Sequence, residues 1–239
     1  MSASGSRSWS FILGIFLLAG AVALGWSLRD SVDRFKQYER SVTVKGLSER
    51  EYPADVVIWP LQFSVASNDL ALLYDDIESQ SQAIIEFLAS HGIPRDEISV
   101  APPDISDRLA QKYGDNRDAE YRFVAQQRLT VYSNQVNQVR QLLGDLTELG
   151  RRGVVLSGDY DTRPEYLFTR LNEVKPAMIE EATRNAREVA MKFAEDSGSK
   201  LGKIRNASQG QFVIADRDSG NPHIKQVRVV STIEYYLSD

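Results

Sequence analysis

Residues 11–28 read FILGIFLLAGAVALGWSL, eighteen residues without a charge. As a helix rising 1.5 Å per residue, this run covers most of a hydrocarbon layer about 30 Å thick. Trp9 and Trp26 stand near its two ends, where amphipathic rings favour the membrane interface, and Arg7 and Arg29 bracket it. The pattern predicts a short tail over 1–10, a transmembrane anchor over 11–28 and a polar juxtamembrane linker over 29–40. A cleaved signal peptide is the alternative, with residues 11–20 as its apolar region and Ala21-Val22-Ala23 as its cleavage site. Apolar residues that continue to Leu28 favour the anchor. Arg29, Arg34, Lys36 and Arg40 after the span outnumber Arg7 before it, which by the positive-inside count places the C-terminal part in the cytoplasm. Long domains, however, translocate largely regardless of nearby charge.

From Ser41 onward, short alternating and helical periods succeed one another. Residues 41–45 alternate as a short strand that Gly46 interrupts. Val57, Trp59, Leu61, Phe63 and Val65 recur at period two, which predicts a strand with one strongly apolar face. Pro60 lacks a donor, so this strand is expected at a sheet edge or with a bulge. Leu70, Leu73, Ile77, Ile84 and Leu88 follow helical spacing behind a cap at Ser67 or Asn68, with Gly92 and Pro94 as the stop. A strand over 98–100 leads into a polar, aperiodic stretch over 101–120 that contains Pro102, Pro103 and Gly114 and reads as a solvated or mobile loop, with a partner-binding or oligomer-locking arm as the alternative. Phe123, Ala125, Leu129 and Val131 mark a strand, Val136 to Leu146 a second helix ending near Gly150, and Val154 to Leu156 the start of another strand.

The longest helix is predicted over 172–197, with Pro176 in its first turn and Gly198 just past its end. Ala182, Ala186, Ala190 and Ala194 form a small inner face beside Ile179, Val189 and Phe193, so the backbone can approach a sheet or another helix closely. Residues 211–214 and 225–237 close the chain as strands. The expected fold class is α+β: after the N-terminal transmembrane helix, residues 41–239 form an antiparallel or mixed sheet packed with about three helices.

Charge and composition narrow the functions available. A net charge of −5 leaves no basic surplus for phosphate backbones, and Arg151-Arg152 is too small a patch for nucleic acid. The chain has no cysteine, which removes disulfides, thiolate nucleophiles and Cys-ligated zinc. Its two histidines, His91 and His223, stand at no metal-ligand spacing. His91 precedes Gly92 at a helix end, where an imidazole meets the negative dipole. The run GSKLGKI over 198–204 is one residue short of a phosphate loop and has Ile204 where Ser or Thr binds magnesium. The segment from Asp216 to Gly220 opens like a calcium loop, but Val227 occupies the position of the bidentate Glu, so it reads as a hairpin loop. The pairs Asp75-Asp76 and Asp159-Tyr160-Asp161 read as ordinary surface acids. No catalytic, cofactor-binding or metal-ligating residue is assigned, and no cofactor is expected.

Gly46, then Tyr52-Pro53-Ala54-Asp55 leading into a strand, then a helix ending His91-Gly92-Ile93 with Glu97-Ile98 after it, follow a recognisable order. The alanine-striped helix and its exit through Gly198, Leu201-Gly202-Lys203-Ile204 extend that order towards the C-terminus. On these motifs residues 41–237 resemble the SIMPL domain family, although Ala54 departs from a tighter Pro-Asp form. The resemblance implies an exported or envelope-associated protein, since bacterial members look envelope-associated, some linked to oxidative stress and some assembling into large rings; an animal member is a kinase-associated adaptor. No catalytic residue comes with the family. The expectation is therefore a non-enzymatic protein of the cell inner membrane with a periplasmic domain, or a soluble periplasmic one if the leader is cleaved. It would form a homo-oligomer through sheet edges, helped by the 101–120 arm. A monomeric adaptor for another envelope protein or a small ligand, whose identity stays open, is the alternative.

Overall fold

The computed structural model describes residues 18, 20, 40–110 and 120–238. The anchor over 11–28 and the middle of the arm, 111–119, fall outside the described residues, apart from Leu18 and Gly20. Among the described residues no helix is long and apolar enough to cross a membrane. In chain order the elements are β1 (Ser41–Pro53), β2 (Val56–Ser67), α1 (Leu70–Ser90), β3 (Ile98–Val100), β4 (Asp104–Asp107), β5 (Phe123–Ser133), α2 (Val136–Asp145), α3 (Thr147–Arg151), β6 (Glu165–Leu167), α4 (Leu171–Asp196), β7 (Lys200–Gln209), β8 (Val213–Asp216) and β9 (Ile224–Ser238). The class is α+β, with two antiparallel sheets rather than one, and four α-helices among the described residues rather than three. One sheet runs β1-β9-β7, with β8 also on β9; the other runs β3-β5-β2-β6, with β4 also on β5. The chain divides into two compact units, one of residues 50–174 and 213–227, the other of residues 40–49, 175–212 and 228–238.

In the first of these units β2 pairs with β5 from Val57↔Ser133 to Ser67↔Phe123. The period-two face of β2 is the core: Val57, Trp59, Leu61, Phe63 and Val65 are all buried, together with Leu73, Ile77, Ile84, Phe87 and Leu88 of α1. Each such side chain contributes about 1.5–3 kcal/mol by leaving water. β5 lines β2 along one side, while on the other β6 covers only Val56–Ile58, so beyond Ile58 the expected edge holds among the described residues apart from the bridge Phe63↔Leu156. Pro60 is accommodated because the Gln62 carbonyl accepts from Ser157 N–H, on the side away from β5. By strand alternation Pro60 points the same way, beyond the last β6 pair, Ile58↔Glu165, so its missing donor breaks no ladder bond.

Several boundaries differ from the sequence reading. The α1 cap is Asp69, whose carboxylate accepts from Ala71 N and Leu72 N at 2.7 and 3.2 Å. Asn68 is spent on Glu120 and Arg122, and Ser67 accepts from Asp69 N–H. Within the arm, β4 folds back on β5. The second helix breaks at Leu146 into α2 and α3. Val154 to Leu156 yields only the bridge Phe63↔Leu156, and the strand there is β6 instead.

The other unit is built on close approach. β1 runs straight through Gly46, because α4 crosses it there: a Cβ on Gly46 would overlap the Ala182 carbonyl and lie 2.9 Å from Ala186 Cβ. Asn185 donates to Leu47 O at 2.8 Å and Ser48 to Glu181 at 2.9 Å across the same crossing. Ala182, Ala186, Ala190 and Ala194 are buried as expected, but Val189 and Phe193 are exposed. Four residues turn about 400°, so the alanine row drifts about 40° per step and has rotated away from Val189 and Phe193 by the helix end. Pro176 falls in the second turn, and Gly198, at φ 65°, ends the helix as Ser199 N–H reaches Ala194 O. The sequence reading offers no strand at Lys200–Gln209, yet β7 stands there on β9; the predicted 211–214 strand is β8, shifted to Val213–Asp216.

Candidate functional site

Three of the sequence motifs have structural roles. His91 ends α1 with Nδ1 2.8 Å from Phe87 O and its ring tilted on Phe87. Gly202, Lys203 and Ile204 are strand residues of β7, not a phosphate loop. In the Asp216–Gly220 segment, Asp216 pairs with Lys225 and Asp218 accepts from Gly220 N and Asn221. Those carboxylates close the β8–β9 turn. Asp75 and Asp76 are exposed on α1. Among the described residues no three His, Cys, Asp or Glu side chains are placed to hold a metal.

The Pro-Ala-Asp turn between β1 and β2 is a clasp. Asp55 accepts from Thr169 N at 2.8 Å, Arg170 N at 3.2 Å and Arg170 Nε at 3.0 Å, just ahead of α4. Burial alone would raise its carboxyl, but the bonds from Thr169 and Arg170 outweigh it and hold the group below the usual carboxylate range. A cleft of about 700 Å³ opens beside it, lined by Asn134, Gln135 and Gln138. Several of its polar groups are already used: Gln138 donates to His91 O, Gln135 to Gly92 O, and Asp55 is clasped.

A second cleft, of about 950 Å³, is different. Ile58 and Pro60 of β2, Arg140 and Leu143 of α2, Tyr166 of β6 and His223 of the β8–β9 turn line it. Tyr166 is 6% exposed and meets His223 edge to face at 6.1 Å. Burial raises the Tyr166 phenol, which the Arg140 charge partly offsets. Burial also lowers His223, and the charges of Arg140 and Arg217 lower it further against Asp218, so the imidazole is neutral near neutral pH. Among the described residues, Arg140 makes no hydrogen bond or ion pair, and neither the Tyr166 hydroxyl nor the His223 ring nitrogens have a hydrogen-bond partner. No sequence pattern marks this grouping, because its members lie on three elements up to 83 residues apart (223 − 140).

The remaining unusual surface is an edge. Among the described residues β7 pairs with β9 alone, and every residue from Lys200 to Gln209 except Leu201 is exposed.

A family model described as SIMPL, protein of unknown function (DUF541), matches residues 42–231. The chain belongs to the SIMPL family. No curated protein matches it. The SIMPL match spans β1 through most of β9, so the Asp55 clasp, the Gly46 crossing and both clefts all lie within the family's domain.

Proposed function

We propose that this SIMPL protein is a membrane-anchored, extracytoplasmic protein of the cell envelope that catalyses no reaction and acts by joining copies of itself along the open edge of β7. The uncharged run over 11–28 supports the anchor. The β7 edge carries the assembly reading: among the described residues β7 pairs with a strand on one side, β9, and nearly all of its residues are exposed, Ile204 by 50%. Such an edge offers unpaired backbone groups to another chain. β2, the strand singled out from the sequence as that edge, offers less, because β5 lines one side and β6 and the bridge Phe63↔Leu156 occupy part of the other. Lys200, Lys203 and Arg205 on β7 restrict indiscriminate pairing. The two ends of the sheet order are different strands, β7 and β1. Pairing β7 with β1 is head-to-tail and gives a ring where the rotation between copies closes and a filament where it does not, whereas pairing β7 with β7 gives a two-fold dimer.

Light scattering on the detergent-solubilised full-length protein tests this. The expected mass is a multiple of the protomer, and Ile204→Asp, at an exposed position, is expected to reduce it to the protomer. A protomer mass for the unmutated chain at tens of micromolar rejects the reading.

A further inference from the structure

We propose that the cleft over Tyr166 is a binding site for a small organic carboxylate with an apolar body. Arg140, the Tyr166 hydroxyl and the His223 imidazole come from α2, β6 and the β8–β9 turn, line one cavity, and have no hydrogen-bond partner among the described residues. The Tyr166 ring is nearly buried, whereas its hydroxyl, with no hydrogen-bond partner among the described residues, is not sealed off from the cleft and is free to meet a ligand there. A planar carboxylate matches the two-pronged guanidinium of Arg140, and the Tyr166 hydroxyl can donate to it alongside. Ile58, Leu143 and Pro222 supply apolar wall for the rest of the molecule. The cavity volume suits one small ligand. Charge selects a monoanion over a phosphate dianion: the lining cations Arg140, Arg163 and Lys225 are balanced by Asp161, Glu165 and Asp216, and Lys225 is already paired with Asp216.

This site does not depend on self-association. The chain has two histidines, so the ring-proton NMR signals of the detergent-solubilised full-length protein give a direct readout, with His91, bonded to Phe87 O, as internal control. The probes are phenylacetate and its neutral analogue phenylacetamide. Phenylacetate is expected to shift the His223 signals saturably and leave those of His91 in place, and phenylacetamide to bind at least about tenfold more weakly. Arg140→Gln, a change at an exposed residue, is expected to weaken phenylacetate at least about tenfold and phenylacetamide by less, with thermal unfolding at neutral pH checking that the fold is kept. Tyr166→Phe is expected to weaken phenylacetate severalfold. Any of three results overturns the proposal: no saturable His223 shift, equal binding of acid and amide, or an Arg140→Gln protein that binds phenylacetate as the unmutated chain does.

Discussion

Gly46 of β1 lies directly beneath Ala182 of α4, so close that a methyl group on the glycine would overlap the alanine's carbonyl oxygen. The obstruction is backbone, which cannot swing aside as a side-chain end could. Gly46→Ala is therefore expected to destabilise the protein by about 3 kcal/mol, and a larger residue by more. Urea unfolding would check this; a change below about 0.5 kcal/mol, the range of an ordinary surface substitution, would show that the crossing relaxes freely.

Asp55 gives an acid-side prediction. Its carboxyl is held below the ordinary value in the folded state, so its contribution is present above about pH 4 and lost as pH falls through the folded value. Asp55→Asn is expected to cost about 2 kcal/mol at neutral pH, chiefly through the bonds to backbone N–H groups, since Arg170 is half exposed and its ion pair adds little. The cost should shrink on acidification. A cost that stays constant from pH 7 to pH 3 would contradict the clasp.

His223 acts at higher pH. Its folded value lies below the ordinary one, so stability is greatest above about pH 6.5 and declines as pH drops from there towards the folded value. His223→Gln should flatten that decline. Arg140→Gln removes one of the charges that lower His223 and should move its NMR titration midpoint upward; an unchanged midpoint would mean that the guanidinium is too distant or too screened to act.

Topology at the membrane is the fourth expectation. With the anchor retained and the domain exported, protease added to intact spheroplasts should digest residues 41–239, and the mature protein should keep Met1, allowing only for ordinary initiator processing. Protection from protease would place the domain in the cytoplasm. A new N-terminus just after Ala23 would instead identify a cleaved signal peptide.

What the sequence revealed followed from how many faces of each element are buried. β2 has one buried face, so Val57, Trp59, Leu61, Phe63 and Val65 announced it. β7 is exposed on both faces, so KLGKIRNASQ has no alternation to detect. Gly46 looked like a strand breaker because its reason, the α4 backbone, lies more than 130 residues away in sequence (182 − 46). Val189 and Phe193 were misplaced because an apolar residue on a helix reads as inward until the drift of the buried row is known. The cleft was not legible, since Arg140, Tyr166 and His223 become neighbours only through the pairing of β6 with β2 and the return of the chain through β8 and β9.

The central place of β9 also sets an order of events. β1 is the first strand of the domain and β9 the last, yet β1, β7 and β8 all pair with β9, and Leu237 N–H reaches back to Arg40 O at 2.9 Å. A chain that emerges N-terminus first must therefore hold those three strands without their common neighbour until residues 224–238 are available, so this sheet is completed only when β9 joins it.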